Sequence, residues 1–141
     1  MGVVIFMSQA TATRNVELVE EGYRAFNEAD VEGVMAIMAA DIEWTEPEGL
    51  PFSGTHRGPE AIVENVFAPV MEQFADLELD VDRFVADGDT VVALGTGRGR
   101  GRETGKELDN AFAHVFDIED GQIARFVQHT NTYHWRDVIG A

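Results

Sequence analysis

Glu43-Trp44-Thr45-Glu46-Pro47, leading through a proline- and glycine-rich stretch into Gly58-Pro59-Glu60-Ala61-Ile62, is where the chain turns from helical to extended sequence and back. Alternation along a strand puts Ile42, Trp44 and Glu46 on one face, so an aromatic ring and a carboxylate point the same way. Pro47 to Gly58 holds two prolines and three glycines and reads as a loop. Pro59 then starts a helix whose apolar stripe is Ile62, Val63, Val66, Phe67, Val70 and Phe74. Pro69 falls inside that stripe, where its missing N–H should kink the helix or end it early.

Working outward, Val16, Val19, Tyr23 and Phe26 recur at helical spacing, with Asn15 as N-cap and Glu17 and Glu20 in the first turns, which predicts a helix over about 15–29. Asp30 can cap a second, shorter helix carrying Val34, Ile37 and Met38, and Asp41 leaves it for the strand. Residues 1–14 are expected to be disordered or extended and 15–141 to form one domain. Downstream, strand-like runs over 77–86, 90–102, 106–118 and 122–133 are separated by turn signals at Asp87-Gly88-Asp89, Gly105 and Asp120-Gly121. Helices followed by an antiparallel meander indicate an α+β class.

A chain of 141 residues, 45% hydrophobic, can bury one substantial core. It has no run of 18 apolar residues, so no membrane span is expected. Met1 to Met7 is too short for a signal-peptide core, and translation could equally begin at Met7. The lack of cysteine excludes disulfides and thiolate chemistry and is compatible with a cytoplasmic location. Twenty-six acidic residues against ten basic ones, with Lys106 the single lysine, give a formal net charge of -16. Such self-repulsion weakens a compact state at low salt and is screened once the Debye length falls to about 3 Å at 1 M, which suggests a high-salt cytoplasm; an ordinary acidic protein is the other reading. No nucleic-acid partner is expected, because the basic footprint is absent.

These segments, in this order after two amphipathic helices and followed by Ala113-His114-Val115-Phe116, Asp120-Gly121-Gln122-Ile123 and His129-Thr130-Asn131-Thr132, resemble the nuclear transport factor 2-like superfamily over about residues 15–135. The likeness is strongest to its SnoaL-like and ketosteroid isomerase-related branch. It implies a cone-shaped α+β barrel, with three N-terminal helices packed in a curved, mainly antiparallel sheet, and a homodimer joined through the outer sheet face. The branch holds isomerases, cyclases, hydrolases and proteins without catalysis, so function has to come from the site.

In the ketosteroid isomerases the general base is an acid directly before the proline that ends the first strand, and here that residue is Glu46 before Pro47. A carboxylate at the mouth of an apolar cone has its pKa raised by desolvation, as a base working near neutrality requires; on a solvated rim it has no such role. His114, seven residues before Gly121, stands where the SnoaL-like cyclases carry a pocket histidine and could hydrogen-bond a carbonyl as charge develops on oxygen. Strand alternation puts Asn110, Phe112, His114 and Phe116 on one face; if that face meets another subunit, His114 is an interface residue. The cyclases' acid/base aspartate is replaced by Asn131, which cannot take up a proton but can orient a carbonyl. His129 and Tyr133 share its predicted strand face and could supply proton chemistry or simply line the opening. Trp44, Phe26 and Phe112 are candidates for the apolar wall. Tyr23, one residue from the position of the isomerases' oxyanion-binding tyrosine, fits a core role with its hydroxyl reaching inward.

Arg98, Arg100 and Arg102 alternate with glycines and read as one solvated or subunit-facing row, since the surrounding acids oppose a phosphate-binding field. His129 and His134 have no third ligand at a recognisable spacing, so no metal is expected, and the glycines of 95–101 do not match a dinucleotide fingerprint. Two functions remain open. One is a cofactor-free isomerase or polyketide cyclase-like enzyme moving a proton on a small apolar carbonyl compound, with Glu46 as base and His114 and Asn131 as carbonyl ligands. The other is a non-catalytic dimer that binds a hydrophobic metabolite.

Overall fold

The computed structural model describes residues 2–141, with side chains from Gln9 onward. Its elements in chain order are α1 (Gly2–Asn27), α2 (Val31–Ala36), β1 (Met38–Glu46), β2 (Gly54–Arg57), α3 (Pro59–Ile62), a π-helical segment (Val63–Phe67), α4 (Ala68–Gln73), β3 (Phe74–Asp87), β4 (Thr90–Gly101), β5 (Glu107–Glu119), β6 (Gln122–Thr130) and α5 (Thr132–Ile139). The six strands form one curved sheet in the order β2-β1-β6-β5-β4-β3, antiparallel throughout except where β1 lies parallel to β6. The helices pack against its inner face, and the core between them is built from Val19, Ile42, Ile62, Phe74, Val91 and Val138, all nearly inaccessible to solvent. Among the described residues no helix is long and apolar enough to cross a membrane.

The first helix starts far earlier than residue 15, so the stretch expected to be disordered or extended is helical from Gly2. Nothing between Val3 and Glu21 breaks a helix, and Thr13 Oγ1 donates back to the carbonyl of Gln9 at 3.0 Å. Asn15 is therefore a buried mid-helix residue instead of a cap, and its Nδ2 finds no partner among the described residues. Asp30 does cap α2, accepting from Gly33 N at 3.0 Å, but β1 already begins at Met38, ahead of Asp41.

Pro69 does not end its helix. The chain stays helical from Pro59 to Gln73 because the turn before Pro69 widens into the π-helical segment, where i→i+5 bonding moves the partner carbonyl away from the proline ring. The loop before it contains β2, which pairs with β1 so that Trp44 lies opposite His56. On β4, Gly95 faces inward opposite Phe112 of β5 and Val81 of β3; a Cβ there would stand 2.3 Å from the carbonyl oxygen of Asp80. Arg98 and Arg100 face outward from the same strand and pair with Asp80 and Glu107.

The last strand ends at Thr130, short of Tyr133, and the chain turns into α5. Asn131 caps that helix by accepting from His134 N at 3.3 Å, while Trp135 and Val138 reach into the core and Gly140 closes it in the left-handed conformation, φ 81°.

Candidate functional site

Alternation on three strands and the inward stripe of α1 bring five polar or aromatic side chains into one line. Glu46 ends β1 on its inner face, and Trp44 Nε1, two residues back on that face, donates to Glu46 Oε2 at 2.7 Å. Gln128 of β6 donates from Nε2 to Glu46 Oε1 at 2.6 Å. Its own Oε1 lies 2.9 Å from Nε2 of His114, the residue directly opposite it on β5. Nδ1 of His114 is 2.6 Å from the hydroxyl of Tyr23 on α1. None of the five is more than 9% exposed, so the line crosses the interior from sheet to helix out of contact with solvent. Phe112 stacks on the His114 ring at 4.0 Å and 16°, and Phe126 stacks on Trp44 at 3.6 Å and 19°, which fixes both rings in plane.

Burial pushes the Glu46 carboxyl up to about 7, against the lowering effect of the hydrogen bonds from Trp44 and Gln128. Burial likewise lowers His114 to about 3; the hydrogen bond to Gln128 opposes this and the charge of His129 adds to it. The imidazole is thus neutral near pH 7, while the carboxyl sits at the midpoint of its titration. The Tyr23 hydroxyl is raised well above the usual 10 by burial and remains a neutral donor.

An apolar cavity of about 60 Å³ lies beside this line, walled by Val19, Phe26, Val34 and Ile123 and touched by Tyr23 and His114. A second lobe of about 40 Å³ is lined by Glu46, Gln128, Phe52, Val66 and Trp135. Trp44, Phe26, Phe67, His114 and Phe126 border both lobes. Each lobe is smaller than the roughly 150 Å³ that admits a benzene ring, so a ring-sized ligand must displace a shared wall. Phe67, at the end of the π-helical segment, and Phe26, against which it packs edge-on at 5.7 Å, form one such wall. Among the described residues no three His, Cys, Asp or Glu side chains gather in a metal-holding arrangement.

The structure therefore brings together Glu46, His114, Trp44 and Phe26 at the cavity. Phe112 supports His114 from the side and borders neither lobe. Asn131, His129 and Tyr133 do not belong to the site. Asn131 is exposed and is used as the α5 cap, His129 points to the outer face, and Tyr133 is 83% exposed on α5. The reason is a bulge: Asp117 pairs with Arg125 but the next residue, Ile118, pairs with Ile123, which leaves Ala124 unopposed and reverses the facing of the rest of β6. Phe126 and Gln128 are consequently the inward residues, and the polar Gln128 adds nothing to an apolar alternation that would single it out. A regular hairpin closed at Asp120-Gly121 sets Val127 opposite His114, and the bulge at Ala124 is what moves Gln128 into that place. Tyr23 is in the core with its hydroxyl turned inward, as its place in the apolar stripe predicts.

Residues 19–126 match the family model of the SnoaL-like domain. Among solved structures, an NTF2-like protein of unknown function from Burkholderia pseudomallei is 31% identical, covers 91% of this chain and 98% of its own, and superposes with a TM-score of 0.85. An NTF2-like protein from Burkholderia thailandensis is 34% identical over 89% of this chain and 96% of its own, with a TM-score of 0.84. TerC, co-crystallised with polyporic acid, is 28% identical over 91% of this chain and 99% of its own, with a TM-score of 0.83. Nothing among curated protein sequences matches.

Proposed function

Because the chain belongs to the SnoaL-like domain family, in which the site and not the fold decides the chemistry, we propose that it is a cofactor-free proton-transfer enzyme of isomerase or cyclase type acting on a small, largely apolar carbonyl compound. The observation that carries this reading is a buried carboxyl, Glu46, raised to about 7 on the wall of an apolar cavity. A base is most effective when its pKa is near the working pH, and apolar walls exclude the water that would compete for the proton. His114 is the neutral ring beside both lobes, so a carbonyl lying along Trp44 and Phe126 passes it. The co-crystallisation of TerC with polyporic acid supports a small organic ligand.

Deuterium exchange at carbon beside the carbonyl, followed by NMR over a panel of apolar ketones in heavy water, tests it. Glu46→Gln should lower exchange at least about 100-fold, in keeping with the loss of a general base, while ligand binding persists. Equal rates in the two proteins remove Glu46 from the mechanism. One observation favours a non-catalytic binding protein instead: both oxygens of Glu46 already accept hydrogen bonds. Tight binding of the panel with no exchange in the wild type would select that reading.

A homodimer through the outer sheet face is part of the proposal. Val92, Val115 and Val127 are neighbours across three strands and half-buried in the single chain, an apolar row a second copy would cover. Val115→Glu should convert a dimer to monomer in sedimentation runs at high potassium chloride, and a wild-type monomer there overturns it. We place the protein in a cytoplasm of high ionic strength, on the net charge of -16.

A further inference from the structure

We propose that the line Glu46–Gln128–His114–Tyr23 is a reversible hydrogen-bond relay in which protonation of Glu46 turns the whole line over and releases the Tyr23 O–H into the larger lobe as an oxyanion donor. Gln128 is its positioning residue. The proposal rests on the reading of Glu46 as a base.

The direction of every bond follows from what each group can give. An indole N–H only donates and a carboxylate only accepts, so with Glu46 ionised Gln128 must present its NH2 to Oε1 and its oxygen to His114. Nε2 of His114 then carries the hydrogen, Nδ1 is bare, and Tyr23 must donate to it. Once Glu46 holds a proton, Oε1 has to carry it, because Oε2 keeps the Trp44 hydrogen bond. The acid O–H then faces an NH2 group that cannot accept. A buried donor left without an acceptor is costly, and an amide turnover about its own axis removes the conflict. Gln128 oxygen now accepts from Glu46, its NH2 donates to Nε2, the ring proton leaves Nε2 and one returns to Nδ1 by exchange with water as the interior transiently opens, and Tyr23 accepts from it. The hydroxyl hydrogen of Tyr23 is left free beside the cavity that Tyr23 lines.

Charge elsewhere does not override this. Tyr23 from α1 and His114 from β5 are the titratable groups in line with Glu46. On β6, His129 and Arg125 are exposed on the other face; on β2, His56 Nε2 donates to the Phe52 carbonyl at 2.9 Å. Glu60, Glu64 and Glu72 of the helical stretch are exposed, and α5 presents the uncharged Trp135 to this lobe.

In a reaction, Glu46 Oε1 takes a proton from carbon, the bond pair delocalises onto the substrate's carbonyl oxygen, and the freed Tyr23 O–H donates to that oxygen. Return of the proton to carbon restores the first arrangement, with no change in oxidation. Glu46 borders the smaller lobe and Tyr23 the larger, with His114 between them.

Long-range proton–nitrogen NMR of the imidazoles, on 15N-labelled protein from pH 5 to 9, tests the relay without substrate or turnover, so it can fail while Glu46 remains a base, or succeed where no substrate is found. His114, assigned by its loss in His114→Phe, should carry its hydrogen on Nε2 at pH 9 and on Nδ1 at pH 5, changing near the Glu46 value of about 7 and remaining neutral throughout. Glu46→Gln, whose amide reproduces the protonated arrangement, should show the Nδ1–H form at every pH. A single tautomer from pH 5 to 9 in the wild type, or a Glu46→Gln protein that follows the wild type, overturns the proposal.

Discussion

The two faces of the one sheet treat polar groups in opposite ways. On the inner face, Trp44, Glu46, Gln128 and His114 are bonded in sequence at 9% exposure or less, and each member has its neighbours as its only partners in the line. On the outer face, Arg98–Asp80 and Arg100–Glu107 form ion pairs whose side chains are more than half exposed. Removing one member inside strands the next one out of water, whereas outside, water and salt take its place. The interior line is therefore energetically brittle and the outer pairs are replaceable.

Gln128→Leu should break this contrast most strongly, by leaving the Glu46 carboxylate one donor short and the His114 N–H without an acceptor. Two such losses are worth about 4 kcal/mol, readable as a shifted urea midpoint at pH 8; a loss under about 1 kcal/mol would mean that the line is not brittle. Glu46→Gln sharpens it by pH. The folded carboxyl titrates near 7 against 4.5 in the unfolded chain, so its contribution is full below 4.5 and disappears as pH rises to about 7. The stability difference between wild type and Glu46→Gln should move by about 3 kcal/mol in favour of the variant across that window. His114 acts in the other direction, losing its contribution as pH falls from 6.5 towards 3, but it is common to both proteins and cancels in the difference.

Gly95→Ala probes the inner face without altering a polar side chain. Its Cβ meets the Asp80 carbonyl at 2.3 Å and Val81 Cα at 2.9 Å, so strand backbone has to move, at about 2 kcal/mol by thermal melting. Arg98→Ala, three residues on and facing out, should change stability by less than about 0.5 kcal/mol. A larger loss would make the outer face as brittle as the inner one.

The same contrast governed what could be read from sequence. Which residues share a face was legible where apolar residues mark it, as in β5, where Phe112 and Phe116 group with His114, and in β1, where Ile42 and Trp44 group with Glu46; that these faces look inward is what the structure adds. The grouping failed in β6, where the bulge at Ala124 separates Ile123 from Phe126 and a parity counted through it puts His129 inside. The short helix α5 was hidden because Asn131 to Tyr133 continue an apparently strand-like run, and only Trp135 and Val138 carry its spacing. The π-helical accommodation of Pro69 leaves no mark in residue type at all.

The bond from Trp44 to Glu46 also gives the protein a built-in optical gauge. The chain has two tryptophans; one indole N–H is fastened to the carboxyl that titrates, and the other, Trp135, finds no acceptor among the described residues. Emission from Trp44 should change colour as a negative charge appears beside its ring. The ionisation state of the interior can thus be watched in real time, in any salt, with no label attached.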